Sequence, residues 1–184
     1  SPRISVIAAI FADVRKRVGS VAYAIANVAG KKTLLPKEID LGLAGYARGS
    51  LYVGFKLPDP SEMEDKDGNP NLLGENDPLY RATKEAIRTI GQVVRHVATG
   101  TSKAEIEAQI PDPKIRDTAF AAVEHLAPTG RKGIFSVSIT GREMEDRSFH
   151  ELTCNTRQEI TAFIEHPVKS SEIAQFEGVV REID

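Results

Sequence analysis

Residues 38–57, EIDLGLAGYARGSLYVGFKL, constrain the fold more than any other stretch of the chain. Ile39, Leu41 and Leu43 alternate with polar or small residues. The alternation resumes after Gly45-Tyr46-Ala47-Arg48-Gly49 as Leu51, Val53, Phe55 and Leu57. Alternation at period two on both sides of a glycine-bounded turn predicts a β-hairpin with one buried face. A turn centred on Ala47 sets Leu43 against Leu51, Leu41 against Val53, Ile39 against Phe55 and Glu38 against Lys56. A slip of one residue would turn the apolar set to water, so the hydrophobic pattern specifies the register.

Helix patterns surround this hairpin. From residue 3 to 29, Ile7, Ile10, Phe11, Val14, Val18, Val21, Ile25 and Val28 recur at three- and four-residue steps, and Gly30 stops the run. Arg3 followed by ISVIAAIFA resembles the core of a signal sequence. The helical spacing continues past Asp13 and Arg15-Lys16-Arg17, however, so one long helix is expected, with that triad on its water side. Asp77-Pro78 and Asp112-Pro113 each pair an N-cap residue with a first-turn proline. They open helices with stripes Leu79, Thr83, Ile87, Ile90, Val94, Val97 and Ile115, Ala119, Ala122, Val123, Leu126. Ser102-Lys103-Ala104-Glu105 and Thr156-Arg157-Gln158-Glu159 read as capping boxes. In residues 134–140, Phe135, Val137 and Ile139 alternate with Ser and Thr, predicting a strand paired with 148–153 across the turn 141–147.

The expected fold is therefore α+β: a mainly antiparallel sheet of two hairpins and a C-terminal strand, packed against the long N-terminal helix and a central helical segment. Residues 1–170 read as one domain. Residues 171–184, whose strand-like part begins at Gln175, read as a terminal strand or the start of a further β domain. Both ends look like cut points in a longer protein.

Between the hairpin and the helix at Pro78 lies PDPSEMEDKDGNPNLLGENDP, residues 58–78, with seven carboxylates against one Lys and four prolines. This composition predicts a mobile acidic loop. Within it Asp65, Asp67 and Asn69 match the first positions of an EF-hand calcium loop. Pro70 stands where that loop needs Gly and Asn76 where it needs a bidentate Glu, so a flexible loop is favoured and no metal is expected. Gly130, Arg131, Lys132 and Gly133 could offer backbone N–H groups to an anion. They join a helix end to a strand and lack the strand-to-helix order of a P-loop, which favours a helix cap and turn. His96 and His125 sit near helix C-termini, where the dipole favours a cationic ring, and His166 stands alone. His150 could meet Glu143, Glu145 or Asp146 across the second hairpin, although an exposed tip is the commoner outcome. Cys154 precedes a helix N-terminus, where thiol acidity tends to rise. Ser50 lacks the context of a nucleophile elbow.

A net charge of −2 gives no reason to expect nucleic acid or an anionic membrane as partner, and no apolar run is long enough to span a bilayer. Arg15, Lys16, Arg17, Lys31 and Lys32 would be the basic patch if nucleic acid did bind. One cysteine allows no internal disulfide, so a cytoplasmic location is expected. Strong fold signals without a convergent catalytic set point to a non-catalytic interaction or regulatory domain without a cofactor. Its partner would be another protein or a second copy met through the N-terminal helix. Whether the chain is an enzyme is left open. The rival is a ligand-, nucleotide- or metal-dependent domain with a pocket walled by 45–49, the acidic loop and 129–133, using Asp65, Asp67, His150 and Arg131.

Overall fold

The computed structural model describes residues 4–30, 39, 41–47, 52–64, 68–70, 72–130, 134–142 and 146–165. In these residues the chain is a mixed helix-and-strand protein with five α-helices and antiparallel strand pairing.

Helix α1 (Ile4–Val28) buries Val18, Val21, Ala22 and Ala26, with Val14 and Ile25 packed beside them. Arg15 and Lys16 are exposed as expected, but Arg17 departs from the sequence reading. Its side chain is largely covered, its Nε is buried with no hydrogen-bond partner among the described residues, and Asp13 lies 4.0 Å from its guanidinium. Arg17 borders the stripe at Val18 and Val21, so its long stem lies over apolar surface while the head stays near the rim.

Strands β1 (Gly42–Ala47) and β2 (Tyr52–Lys56) pair antiparallel, in a register other than the one the alternation implied. Leu43 faces Phe55, Tyr46 faces Val53 and Ala47 faces Tyr52. A shift between Leu43 and Gly45 inserts Ala44 as an extra residue. Lys56 stands opposite Gly42, where its side chain lies over the bare Cα; Glu38 lies outside the described residues. Pairing runs as far as Ala47 and Tyr52, so the partners on the two strands differ from those a turn centred on Ala47 implies, and Phe55, expected on the buried face, is exposed. Ile39 is buried, Leu41 packs on the core, and the Phe55 ring meets Phe11 of α1 edge-on at 5.6 Å.

Helix α2 (Pro78–Thr99) starts where Asp77 accepts hydrogen bonds from the N–H groups of Leu79 (2.7 Å) and Tyr80 (3.1 Å). It ends at Gly100, whose φ of 66° lets its N–H reach the His96 carbonyl at 2.9 Å. Helix α3 (Lys103–Gln109) opens on the Ser102–Glu105 capping box. Helix α4 (Pro113–Leu126) opens on Asp112, which accepts from Lys114 and Ile115 at 2.9 and 3.0 Å. Strands β3 (Ser136–Gly141) and β4 (Asp146–Thr153) pair with Val137 opposite Leu152 and Ile139 opposite His150. Phe135, expected to face inward with Val137 and Ile139, is exposed, because pairing begins only at Ser136. Helix α5 (Cys154–Glu165) begins ahead of the expected box at Thr156. The cap is Thr153: its Oγ1 accepts from the Thr156 N–H at 3.3 Å, and Thr156 Oγ1 accepts from the Thr153 N–H at 3.2 Å.

The core forms chiefly where α1, α2 and α4 meet, through Val21, Ala22, Ala82, Ala86, Val93, Val94, Ala119, Phe120, Ala122 and Val123. Many of these residues are alanines, which let helix axes approach closely. The β3–β4 ribbon adds Leu152 to this core and lies against α2, and α5 adds Ile160 from beside α4. The single sheet expected from sequence is replaced, among the described residues, by two separate two-stranded ribbons. A two-stranded ribbon buries too little surface to organise a core, so the helices do so. The C-terminal strand expected in 175–184 lies outside the described residues.

Candidate interaction loop

The segment joining β2 to α2 is assembled from local polar devices around one apolar anchor. Asp59 Oδ1 accepts from the Ser61 N–H at 2.9 Å and the Ser61 hydroxyl at 2.6 Å, capping a 3₁₀ turn at Pro60–Glu62. The Ser61 hydroxyl, then the Ser61 N–H, with Lys56 nearby, hold the Asp59 carboxyl below its usual range. Met63 follows and is only 5% exposed, in the same core as Leu79 and Ala82. Glu64 bridges to Pro70 across the acidic tip. A second 3₁₀ turn, Gly74–Asn76, packs against the first and delivers the chain to the Asp77 cap of α2. Gly74 has a φ of 57°, a left-handed conformation that suits glycine.

On this frame Leu72 is 90% exposed and Leu73 60% exposed. Exposed carboxylates of Glu62, Glu64 and Glu75 are carried on the same segment. One exposed leucine is ordinary; two adjacent ones, held out by a loop that buries Met63, form an apolar point on an acidic ground. No periodicity marks a two-residue apolar step, so neither the helix nor the strand pattern points to them. The available signal was local: Leu72-Leu73 is the only adjacent aliphatic pair in an otherwise polar stretch from Pro58 to Asp77.

The residues singled out from sequence are not brought together among the described residues. Asn69 is exposed near the loop tip, whereas Asp65 and Asp67 lie outside the described residues. Gly130 takes a φ of 69° at the turn after α4, and a Cβ there would sit 3.8 Å from Cys154 Cβ; Arg131, Lys132 and Gly133 lie outside the described residues. His150, expected at an exposed hairpin tip or in an acidic cluster, is instead buried in β4 opposite Ile139, because it shares the inward face with Leu152. Glu143 and Glu145, its expected neighbours, lie outside the described residues, as does His166. Cys154 is exposed at the first residue of α5, its Sγ 3.8 Å from Asn155 Oδ1. Among the described residues no three His, Cys, Asp or Glu side chains gather in a metal-binding group, and no helix is long and apolar enough to cross a membrane.

The other two located histidines have structural partners. His96 Nδ1 lies 2.6 Å from Thr101 Oγ1, and its ring meets Phe120 edge-on at 5.8 Å. Burial lowers its pKa, and Glu105 opposes that shift. His125 Nδ1 lies 2.9 Å from the Ala121 carbonyl and 3.6 Å from Glu124 Oε2. Comparison of the chain with protein families, with curated proteins and with solved structures finds no match.

Proposed function

We propose that this is a non-catalytic protein-interaction domain, a regulatory or accessory part of a longer cytoplasmic protein, with the loop between β2 and α2 as its recognition element. The observation that carries the reading is the exposure of Leu72 and Leu73 on a segment otherwise secured by Met63, two 3₁₀ turns, the first capped by Asp59, and the Glu64–Pro70 bridge. A loop that is already positioned loses less conformational freedom on docking than a free peptide does. Each leucine transferred from water to an apolar cleft would contribute roughly 1.5–3 kcal/mol of driving force. The same proposal includes the finer architecture: a C-terminal strand within 175–184, at the start of a further β domain.

A photo-reactive amino acid placed at Leu72, with a control at exposed Lys114 on α4, tests this in cells that express the protein. A discrete adduct formed from position 72 alone is expected. Products common to both positions would refute the reading.

A further inference from the structure

Resting on the reading of the β2–α2 loop as a recognition element, we infer that its partner is a protein with an apolar cleft rimmed by Lys and Arg. Leu72 and Leu73 fill the cleft, and Glu62, Glu64 and Glu75 meet the rim. Three facts select this occupant. The two leucines are the most exposed apolar anchor on the loop, at 90% and 60%. Residues 58–77 carry seven carboxylates against one cation, Lys66, and the turn that bears Glu62 packs against the turn that bears Glu75 and follows the leucines. Asp59 and Asp77 are engaged in caps, which leaves Glu62, Glu64 and Glu75, among the described residues of the loop, as the exposed carboxylates available to a partner.

Charge separates this occupant from the alternatives. Anionic lipid would be repelled by the same carboxylates that attract a cationic rim. A second copy docked loop against loop would set Glu62, Glu64 and Glu75 against the same carboxylates, like charge against like.

The experiment uses a synthetic amphipathic Leu/Lys helix of about 14 residues, roughly four turns, as a cationic, apolar probe. Its binding is followed by fluorescence anisotropy at about 50 and about 300 mM salt. The wild type is compared with the double variant Leu72→Ser/Leu73→Ser and the triple variant Glu62→Gln/Glu64→Gln/Glu75→Gln. Circular dichroism and thermal unfolding check that both variants fold. The expected result is at least about a tenfold loss of affinity for the leucine variant at both salts, as two exposed anchors are removed. The triple variant should bind more weakly at low salt and show a flatter salt dependence. If the leucine variant weakens while the triple variant keeps the wild-type affinity and slope, the cationic partner is refuted and the recognition loop stands. If the leucine variant binds as tightly as the wild type, or the wild type does not bind, both ideas fall. A concentration-dependent increase in mass by light scattering, abolished by Leu72→Ser/Leu73→Ser, would overturn the proposal in favour of self-association.

Discussion

Arg157→Ala should destabilise the fold more than any other single change at a charged side chain described above. Arg157 lies near the start of α5, yet its guanidinium caps the end of α4. Nη1 donates to the carbonyls of Glu124 at 2.7 Å and Ala127 at 3.2 Å, while Nη2 sits 3.0 Å from Glu124 Oε1. The Thr161 hydroxyl donates chiefly to the Arg157 carbonyl at 2.9 Å and lies 3.4 Å from the same carboxylate oxygen. The Arg157 and Glu124 side chains are 26% and 18% exposed, so the pair is neither a solvated surface bridge nor fully desolvated. Surface pairs contribute about 0–1 kcal/mol. Breaking a buried pair costs about 3–5 kcal/mol. A bond from a charged donor is worth about 1.5–3 kcal/mol, and water can replace part of it at this exposure. The expected loss is therefore about 2–3 kcal/mol, or a fall in Tm of roughly 4–12 °C for a chain of this length. Arg157→Lys should recover less than half, because an ammonium cannot span two carbonyls and a carboxylate at once. Urea unfolding followed by circular dichroism measures the loss. A double-mutant cycle with Glu124→Gln should show a coupling of about 1–2 kcal/mol. A loss for Arg157→Ala within about 0.5 kcal/mol of zero, the range of ordinary surface substitutions, would refute the assignment of Arg157 as the α4–α5 clasp.

Asp77→Ala and Asp112→Ala should each cost about 1 kcal/mol by loss of a helix cap, and their effects should add, since they open different helices; a urea titration of both singles and the double checks this. Met63→Ala should cost about 2–3 kcal/mol, as a buried side chain is lost, and hydrogen exchange should quicken at 60–76. By contrast Leu72→Ser should change stability by less than about 0.5 kcal/mol, and equal losses for Met63→Ala and Leu72→Ser would mean that Met63 does not anchor the loop. The pH dependence follows from His96, whose folded pKa is lowered from 6.5 by burial, with Glu105 acting against that shift. The unfolded chain binds the proton first, so this contribution is complete above about 6.5 and diminishes as pH falls toward the lowered folded value. Chemical denaturation between pH 7.5 and 5 should show that decline in the wild type and a smaller one in His96→Gln; an unchanged slope would exclude His96 as its source.

The loop that carries the candidate site was legible in outline only. Its acidic, proline-rich composition marked residues 58–78 as a connection, but composition does not say which side chain turns inward. Met63 joins the core that holds Leu79 and Ala82, whereas Leu72 and Leu73 stay in water. The burial of His150 has a related cause. A histidine between a phenylalanine and a glutamate suits either face of a strand, and only pairing with Ile139 places it inside. Phe120, the largest fully buried side chain among the described residues, belongs to none of the predicted stripes, since a helix packed against several elements buries more than one narrow stripe.

What the chain alone determined is where α2, α3 and α4 begin and which segments carry the described strands, because those depend on neighbours a few residues away. Asp77-Pro78, Ser102-Glu105 and Asp112-Pro113 cap helices through groups two or three residues apart, and alternation marks each strand locally. What only the tertiary structure decided is the β1–β2 register with Ala44 as the bulge, the division into two ribbons, the covering of Arg17 and the reach of Arg157 from α5 back to α4. Each depends on contacts between segments distant along the chain, where small differences in turn position and packing select among partners that local pattern leaves nearly equal.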